Sequence, residues 1–285
     1  MKDLKYYIEK AYSEKWAIGQ FNFSAFEQVK GIVQAAQNLK SPIILGTSEG
    51  ESKFVGLQEA VAIRDVLRKK TGLPIFLNLD HGKSVDLLKE AILAGYDMVH
   101  FDGSKLPLDE NIKTSIEVRK MAKRIVMEGE VGRFGTDASK VYTEKFEIKE
   151  ENLTQVEEAQ KYMSAVKVNL LAVSIGTFHG IDVTGVSPKL RLEKLKEIKG
   201  ALNMPMVLHG GSGTSADQIK DAIALGISKV NINTETRMAF SNTMRKTLEN
   251  NKDEITPYKY FPEAIEAVRQ VIEIKIGEFG SADKI

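Results

Sequence analysis

Eight short apolar runs, separated by longer amphipathic stretches, limit most strongly what this chain can fold into. They read as strands at 17–22, 42–47, 75–79, 98–101, 125–128, 170–175, 206–208 and 229–232. Short buried strands alternating with helices are the pattern of a parallel sheet with helical crossovers. Two of the intervening stretches show why they should be helical. In 84–94, Val85, Leu88, Ala91 and Ile92 share one face, Ser84 is placed to cap the start and Gly95 to end it. In 215–225, Ser215 and Gln218 stand at capping-box spacing. Eight strand–helix repeats in one chain favour a closed (β/α)8 barrel, an α/β TIM barrel, over an open doubly wound sheet.

The length agrees. One barrel of about 250 residues plus an extension accounts for all 285 residues, so 1–285 reads as a single domain. Two segments exceed a minimal barrel. Residues 129–152, after the fifth strand, are polar, charged and too long for an ordinary barrel loop, which predicts an active-site loop insertion. The tail 261–285 carries one more amphipathic helix, with Ile265, Val268, Val271 and Ile272, expected to pack in and close the barrel.

Forty basic against 39 acidic residues leave the chain near neutral, so nothing points to nucleic acid or an acidic membrane surface. No stretch approaches the roughly 20 apolar residues of a membrane span, and residues 1–14 lack the apolar run of a signal peptide. The expectation is a cytoplasmic enzyme. The chain has no cysteine, which excludes disulfides, thiolate catalysis and Cys-ligated zinc. Any transition-metal site must therefore use histidine and carboxylates, and there are only four histidines.

In such a barrel the C-terminal strand ends and the loops after them build the active site. Asp80-His81-Gly82 follows the third strand and Asp102-Gly103-Ser104 the fourth; Glu128 and Glu130 end the fifth. His179-Gly180 follows the sixth, His209-Gly210-Gly211-Ser212-Gly213 the seventh, and Asn231, Asn233 and Thr234 lie at the eighth. A single histidine in such a place is ordinarily a loop residue bonded to a neighbour. Three at one mouth, each followed by glycine, suit a catalytic Zn²⁺, which takes nitrogen ligands and keeps one position open. His100, inside the fourth strand, reads instead as a satisfied core histidine. Asp80 adjoins a proposed ligand, and neighbours on a strand point in different directions. It is thus a candidate for proton transfer, the alternative being a carboxylate that supports a ligand imidazole. Asp102 and Glu130 could supply an oxygen-rich second cation position or purely structural hydrogen bonds. The glycine-rich run 209–215 and the segment 231–234 each lead from a strand into a helix, where backbone amides bind phosphate.

The segments NLDHG (78–82), FDGS (101–104), EGEVG (128–132), SIGTFHG (174–180), VLHGGSG (207–213) and KVNINTETR (229–237) resemble those of the class II, metal-dependent fructose-bisphosphate and tagatose-bisphosphate aldolases. The similarity extends from GQFNF near the start to KIGEFGSADKI at the end. It implies reversible cleavage of a ketose bisphosphate into dihydroxyacetone phosphate and glyceraldehyde 3-phosphate. Fructose 1,6-bisphosphate is the first candidate; tagatose bisphosphate, another ketose phosphate, or a relative that binds metal and phosphate with reduced or no catalysis are the others. It further implies that His81, His179 and His209 hold zinc and that Asp80 exchanges the proton of the carbon-4 hydroxyl. Asp102 and Glu130 would be ligands of a second divalent or monovalent cation. Gly180, Gly210, Gly211, Ser212, Asn231, Ile232, Asn233 and Thr234 would surround dihydroxyacetone phosphate, with Ser48 a further substrate contact. Arg237 would reach the other phosphate from a neighbouring subunit, which requires a homodimer or homotetramer. Zinc, as a Lewis acid, would take the charge left when the carbon 3–carbon 4 bond breaks, so no lysine Schiff base is needed.

Two departures stand out. The family usually carries an acidic pair in the loop after the fifth strand, one member taking a proton from dihydroxyacetone phosphate; here 132–138 reads GRFGTDA, and Asp137 is the nearby candidate. Asn233 stands where fructose-specific members tend to have aspartate and tagatose-type members a small residue.

Overall fold

The computed structural model describes residues 1–133, 149–177, 180 and 189–285, with the backbone alone of 141–142 and 181–182. His179, Asp137 and most of the expected loop insertion 129–152 lie outside the described residues.

Eight parallel strands close into a barrel: β1 (Ile18–Asn22), β2 (Ile43–Ser48), β3 (Ile75–Gly82), β4 (Met98–Phe101), β5 (Val126–Val131), β7 (Leu170–Val173), β9 (Met206–Leu208) and β10 (Ile227–Ile232). A short parallel pair, β6 (Val141–Tyr142) with β8 (Ile181–Asp182), forms a separate sheet. Both arise after barrel strands, on the loops following β5 and β7. Helices alternate with the strands: α1 (Leu4–Glu14), α2 (Phe26–Asn38), α3 (Glu49–Val55), α4 (Leu57–Thr71), α5 (Val85–Ala94), α6 (Leu108–Met121), α7 (Val156–Val166), α8 (Leu192–Leu202), α9 (Ala216–Ala224), α10 (Thr234–Asn250) and α11 (Pro257–Glu278). The expected TIM barrel is therefore present, with its strands where the apolar runs placed them.

The helix expectations hold with one change. Ser84 caps α5, accepting from the Leu87 amide at 3.3 Å, and Gly95 ends the helix with φ 106°. At α9 the capping box does not form. Gln218 instead accepts from the Leu190 amide at 2.7 Å and donates to Ser215 Oγ at 3.2 Å, so its side chain ties the helix to the preceding connection.

Period-two alternation divides the strand residues into two sets. The outward set, including Phe21, Leu45, Leu77, Val99, Met127, Leu171, Leu208 and Val230, is buried beneath the helices. The inward set changes character along the barrel axis. Ile18, Ile44, Phe76, Met98, Val126, Leu170 and Val207 make an apolar lower layer, joined by Leu4, Tyr7, Ile8 and Ala11 of α1. The N-terminal helix thus closes the floor. The tail helix begins at Pro257 and lies on the outside: Gly31 of α2 lets it approach, since a Cβ there would stand 2.6 Å from the Ile265 carbonyl. Its Val268, Ile272 and Ile276 are fully buried. It packs as expected, on the outer ring rather than over the barrel end.

Further up five of the strands the inward positions are polar: Gln20 and Asn22 on β1, Asn78 and Asp80 on β3, His100 on β4, Glu128 and Glu130 on β5, Lys229 and Asn231 on β10. Asn78 donates to Gln20 at 2.8 Å although β2 lies between their strands, a path open only through the barrel interior. On β2 the corresponding residue is Gly46, where a Cβ would meet Asn22 Oδ1 at 2.1 Å. Glycine there leaves the volume that the amides fill.

Candidate active site

The upper interior is a set of acidic, amide and imidazole groups sealed by the strands that carry them. Asp80 and His81 enter it together, against the expectation that strand neighbours diverge. The pairing of β3 with β4 explains this: Leu79 pairs with Val99 and Gly82 with Phe101, so β3 fits one extra residue into the interval. That bulge puts His81 in the left-handed region, φ 51°, a conformation costly for a residue with a Cβ and one that gathers at functional sites.

Three imidazoles face one another. Ring centroids lie 4.7 Å apart for His81 and His100, 4.5 Å for His81 and His209, and 4.9 Å for His100 and His209. One potential ligand atom from each of Asp80, His81, His100 and His209 lies within 4.8 Å of the others, and His81, Asp102 and Glu130 form a second such group. The structure thus brings together four of the five expected metal-site residues, His81, His209, Asp102 and Glu130; the fifth, His179, is not described.

His100 lies inside β4 and is fully buried, as expected of a core histidine, and it also belongs to the ligand-competent group. Its Nε2 lies 3.1 Å from Glu130 Oε2, and Asp80 and Glu128 each stand 3.7 Å from Nδ1. Nδ1 accepts from the His81 amide at 3.1 Å, which leaves the proton on Nε2, toward Glu130. The signal was present in the alternation, since His100 is two residues above the floor residue Met98.

Around this centre the carboxylates are tightly bound. Asp80 accepts from Asn22 at 3.0 Å and from Asn231 at 3.1 Å. Asp102 accepts from His81 Nδ1 at 3.0 Å, from the Ser104 hydroxyl at 2.6 Å and from the Ser104 amide at 3.1 Å. Glu128 lies 2.6 Å from His209 Nε2 and 2.8 Å from Lys229 Nζ. Lys229 was not singled out in the sequence, yet it is wholly buried here.

The segments expected to hold phosphate adjoin this centre. Gly210 and Gly213 adopt φ 64° and 79°. At Gly211 a Cβ would stand 2.8 Å from Val230, so the loop after β9 can lie flat on β10 only as glycine. Ser212 and Thr234 are buried, Ser212 Oγ accepts from the Glu235 amide at 3.4 Å, and Gly213 donates to the Glu235 carboxylate at 2.7 Å. Gly180 is buried with φ 103°. Ile232 is the last residue of β10 and points outward into the core, so only its backbone faces the mouth. Thr177 Oγ1, Thr214 Oγ1, Asn233 Oδ1 and Thr236 Oγ1 are buried without a hydrogen-bond partner. Such groups are costly to leave unmatched unless a ligand or water meets them.

Two expected substrate contacts have partners within the chain. Ser48 caps α3, accepting from the Glu51 amide at 3.4 Å. Arg237 lies 2.5 Å from Glu51, whose other oxygen accepts from Asn22 at 3.1 Å and from the Ser48 amide at 2.8 Å.

A model of fructose-bisphosphate aldolase class-II matches residues 2–284. The chain belongs to that family. It is 35% identical over 292 residues to the 6-phospho-5-dehydro-2-deoxy-D-gluconate aldolase of Bacillus subtilis (strain 168), with 100% of this chain and 96% of the relative covered. To the fructose-bisphosphate aldolase of Ureaplasma parvum serovar 3 it is 36% identical over 292 residues, covering 98% and 96%. Among solved structures, the YdjI aldolase from Escherichia coli K12 superposes with a TM-score of 0.83 at 27% identity, covering 100% of this chain and 99% of that one. The chain is a lyase of the ketose-phosphate aldolase kind.

The class II aldolase family is metal-dependent, and the donor set of this aldolase fits a metal. Imidazole and carboxylate suit zinc and similar cations, and one potential ligand atom from each of Asp80, His81, His100 and His209 lies within 4.8 Å of the others. The electrostatics agree. Burial works against the Asp80 carboxylate, yet the charge of His81, with that of Lys229, holds its pKa well below the ordinary range. Asp102 and Glu128 are likewise lowered against burial, Asp102 by His81 and Glu128 by Lys229. Burial also opposes charge on His81 and His100; Asp80 raises the first and Glu128 the second. The two differ in what geometry supports: for His100 the amide on Nδ1 requires a neutral ring. His209 is lowered, by burial first and then by the His81 charge, and so stays neutral. Among the described residues no helix is long and apolar enough to cross a membrane.

Proposed function

We propose that this class II aldolase reversibly cleaves fructose 1,6-bisphosphate into dihydroxyacetone phosphate and glyceraldehyde 3-phosphate, with zinc held by His81, His179 and His209. The observation that carries the reading is the convergence of Asp80, His81, His100 and His209 in one ligand-competent group at the barrel mouth. Zinc, when bound there, supplies a Lewis acid for the charge that develops on the dihydroxyacetone phosphate half. The rest falls to the chain. Asp80, held as a carboxylate by two amides, takes the proton of the carbon-4 hydroxyl during cleavage and returns it in synthesis. The amides and hydroxyls of Gly180, Gly210, Gly211, Ser212 and 231–234 hold one phosphate, so that its binding energy keeps the reacting carbons in register. Asp102 and Glu130 form a second cation position, and Asp137 is the candidate base on the loop after β5. Ser48 and Arg237 are assigned to the distal end of the sugar; Arg237 would leave Glu51 to act, or act from a partner subunit in a homodimer or homotetramer. The neutral charge balance and the absence of cysteine suit a cytoplasmic enzyme.

A second reading, tagatose bisphosphate or another ketose phosphate cleaved by the same mechanism, is favoured by the name of one relative, a 6-phospho-5-dehydro-2-deoxy-D-gluconate aldolase, and by Asn233, whose buried oxygen awaits a partner. The altered 132–138 segment motivates a third, a relative that binds metal and phosphate without turnover. Steady-state cleavage of fructose 1,6-bisphosphate, tagatose 1,6-bisphosphate and 6-phospho-5-dehydro-2-deoxy-D-gluconate by the zinc-loaded protein separates the three. The first reading requires the highest kcat/KM on the fructose sugar. Preference for another sugar selects the second, and zinc binding without turnover of any selects the third.

A further inference from the structure

Lys229 has no part in the chemistry just described, yet it is wholly enclosed between Glu128 and Asn231 inside the barrel. An ammonium donates three hydrogen bonds and accepts none. Its neighbours must therefore turn oxygen toward it, and they do: Glu128 Oε2 at 2.8 Å and Asn231 Oδ1 at 2.7 Å. For Asn231 this decides the whole side chain. With oxygen toward Lys229, the amide's two N–H groups must point the other way, where Asp80 Oδ1 lies at 3.1 Å and His209 Nδ1 at 3.2 Å. An N–H facing His209 Nδ1 demands a lone pair on that nitrogen. At the opposite edge of the same ring, Nε2 lies 2.6 Å from Glu128 Oε1, an acceptor-only group while the carboxylate is ionised. The ring proton thus belongs on Nε2.

We propose that Lys229 is a positioning residue that fixes the tautomer of His209, acting through Glu128 on one side and Asn231 on the other, so that Nδ1, on the side of Asp80, keeps its lone pair, held by the Asn231 amide in the metal-free protein. This inference rests on the reading of His209 as a metal ligand only for its consequence, since the tautomer itself is a property of the metal-free protein. Supporting carboxylates of this kind orient ligand histidines and raise their basicity. Here one buried cation sets the direction of the donors and acceptors around both the ligand and Asp80.

The test is Glu128→Gln, which keeps shape and removes no proposed zinc ligand. Lys229 would draw the oxygen of the introduced amide, turn its N–H toward His209 Nε2, and so drive the proton to Nδ1. The ¹⁵N spectrum of the metal-free protein should show His209 with an unprotonated Nδ1 in wild type and an unprotonated Nε2 in Glu128→Gln. Zinc affinity, read by competition with a chromogenic chelator, should fall by about 10- to 100-fold. The double variant Glu128→Gln, Lys229→Met leaves no buried cation, frees the introduced amide to turn its oxygen back to His209, and should regain about tenfold of the lost affinity. It also carries the test if the single variant does not fold. A wild-type His209 protonated on Nδ1, or a single variant with unchanged tautomer and zinc affinity, or a double variant no tighter than a folded single one, would overturn the proposal. A wild-type protein that takes up no zinc would overturn the metal-site reading instead, leaving the tautomer measurement to decide this one.

Discussion

The floor and the mouth of this barrel are built from the same strands by the same alternation, and they have opposite chemistry. On β3 the inward residues run Phe76, Asn78, Asp80; on β4, Met98 then His100; on β5, Val126, Glu128, Glu130. At the floor, apolar side chains meet α1 and need no partner. At the mouth nearly every atom is committed to a directed contact, and several buried ones have none. The floor therefore tolerates any side chain of suitable volume, whereas the mouth depends on which atom faces which. Changes at the floor should alter stability with turnover intact, whereas changes at the mouth should alter turnover, and stability only where a buried carboxylate is involved.

The largest effect is expected at the mouth. His209→Ala should abolish both zinc binding and cleavage, seen by metal analysis after dialysis and by coupled assay; full turnover in this variant would remove His209 from the site. Asp80→Ala should keep zinc near the wild-type level and lower kcat by about 10²-fold or more. Loss of zinc instead would make Asp80 a support for the ligands. At the floor, Phe76→Ala should cost about 3–5 kcal/mol in denaturant unfolding, while kcat per folded molecule stays unchanged. A fall in kcat with normal stability would erase the distinction between the two ends.

The carboxylates of Asp102 and Glu128 sharpen it through pH. Their pKa values are depressed in the fold, so the stability they contribute is fully present above the unfolded carboxylate range, about 4, and is lost as pH falls through the folded values. Acid unfolding of the metal-free protein should therefore begin below about pH 4, and Glu128→Gln should flatten that limb. An unchanged limb would place the acid-labile groups elsewhere. The smallest effect belongs to the outer ring: Ser84→Ala should remove the α5 cap at about 1 kcal/mol with normal kcat.

The sequence made the barrel legible because each strand is a short apolar run and each helix has its face and caps, as at Ser84 and Gly95. It made His81, His209, Asp102 and Glu130 legible because a polar residue at a strand end is conspicuous. Two things escaped it. Lys229 lies within a run that reads as strand, and alternation alone does not show that closing the barrel sets it against Glu128 and Asn231. The joint entry of Asp80 and His81 depends on a bulge, which requires knowing how β3 pairs with β4. The capping box at Ser215 failed for a similar reason, since Gln218 found a tertiary partner at Leu190.

The central claim is that the polar mouth is a zinc-dependent aldolase site. Its most direct test follows fructose 1,6-bisphosphate cleavage and bound zinc together, as a chelator strips the protein and zinc is then returned. The account predicts that turnover falls in proportion to zinc lost from the His81 and His209 site and recovers on its return; cleavage that persists in the stripped protein would contradict it.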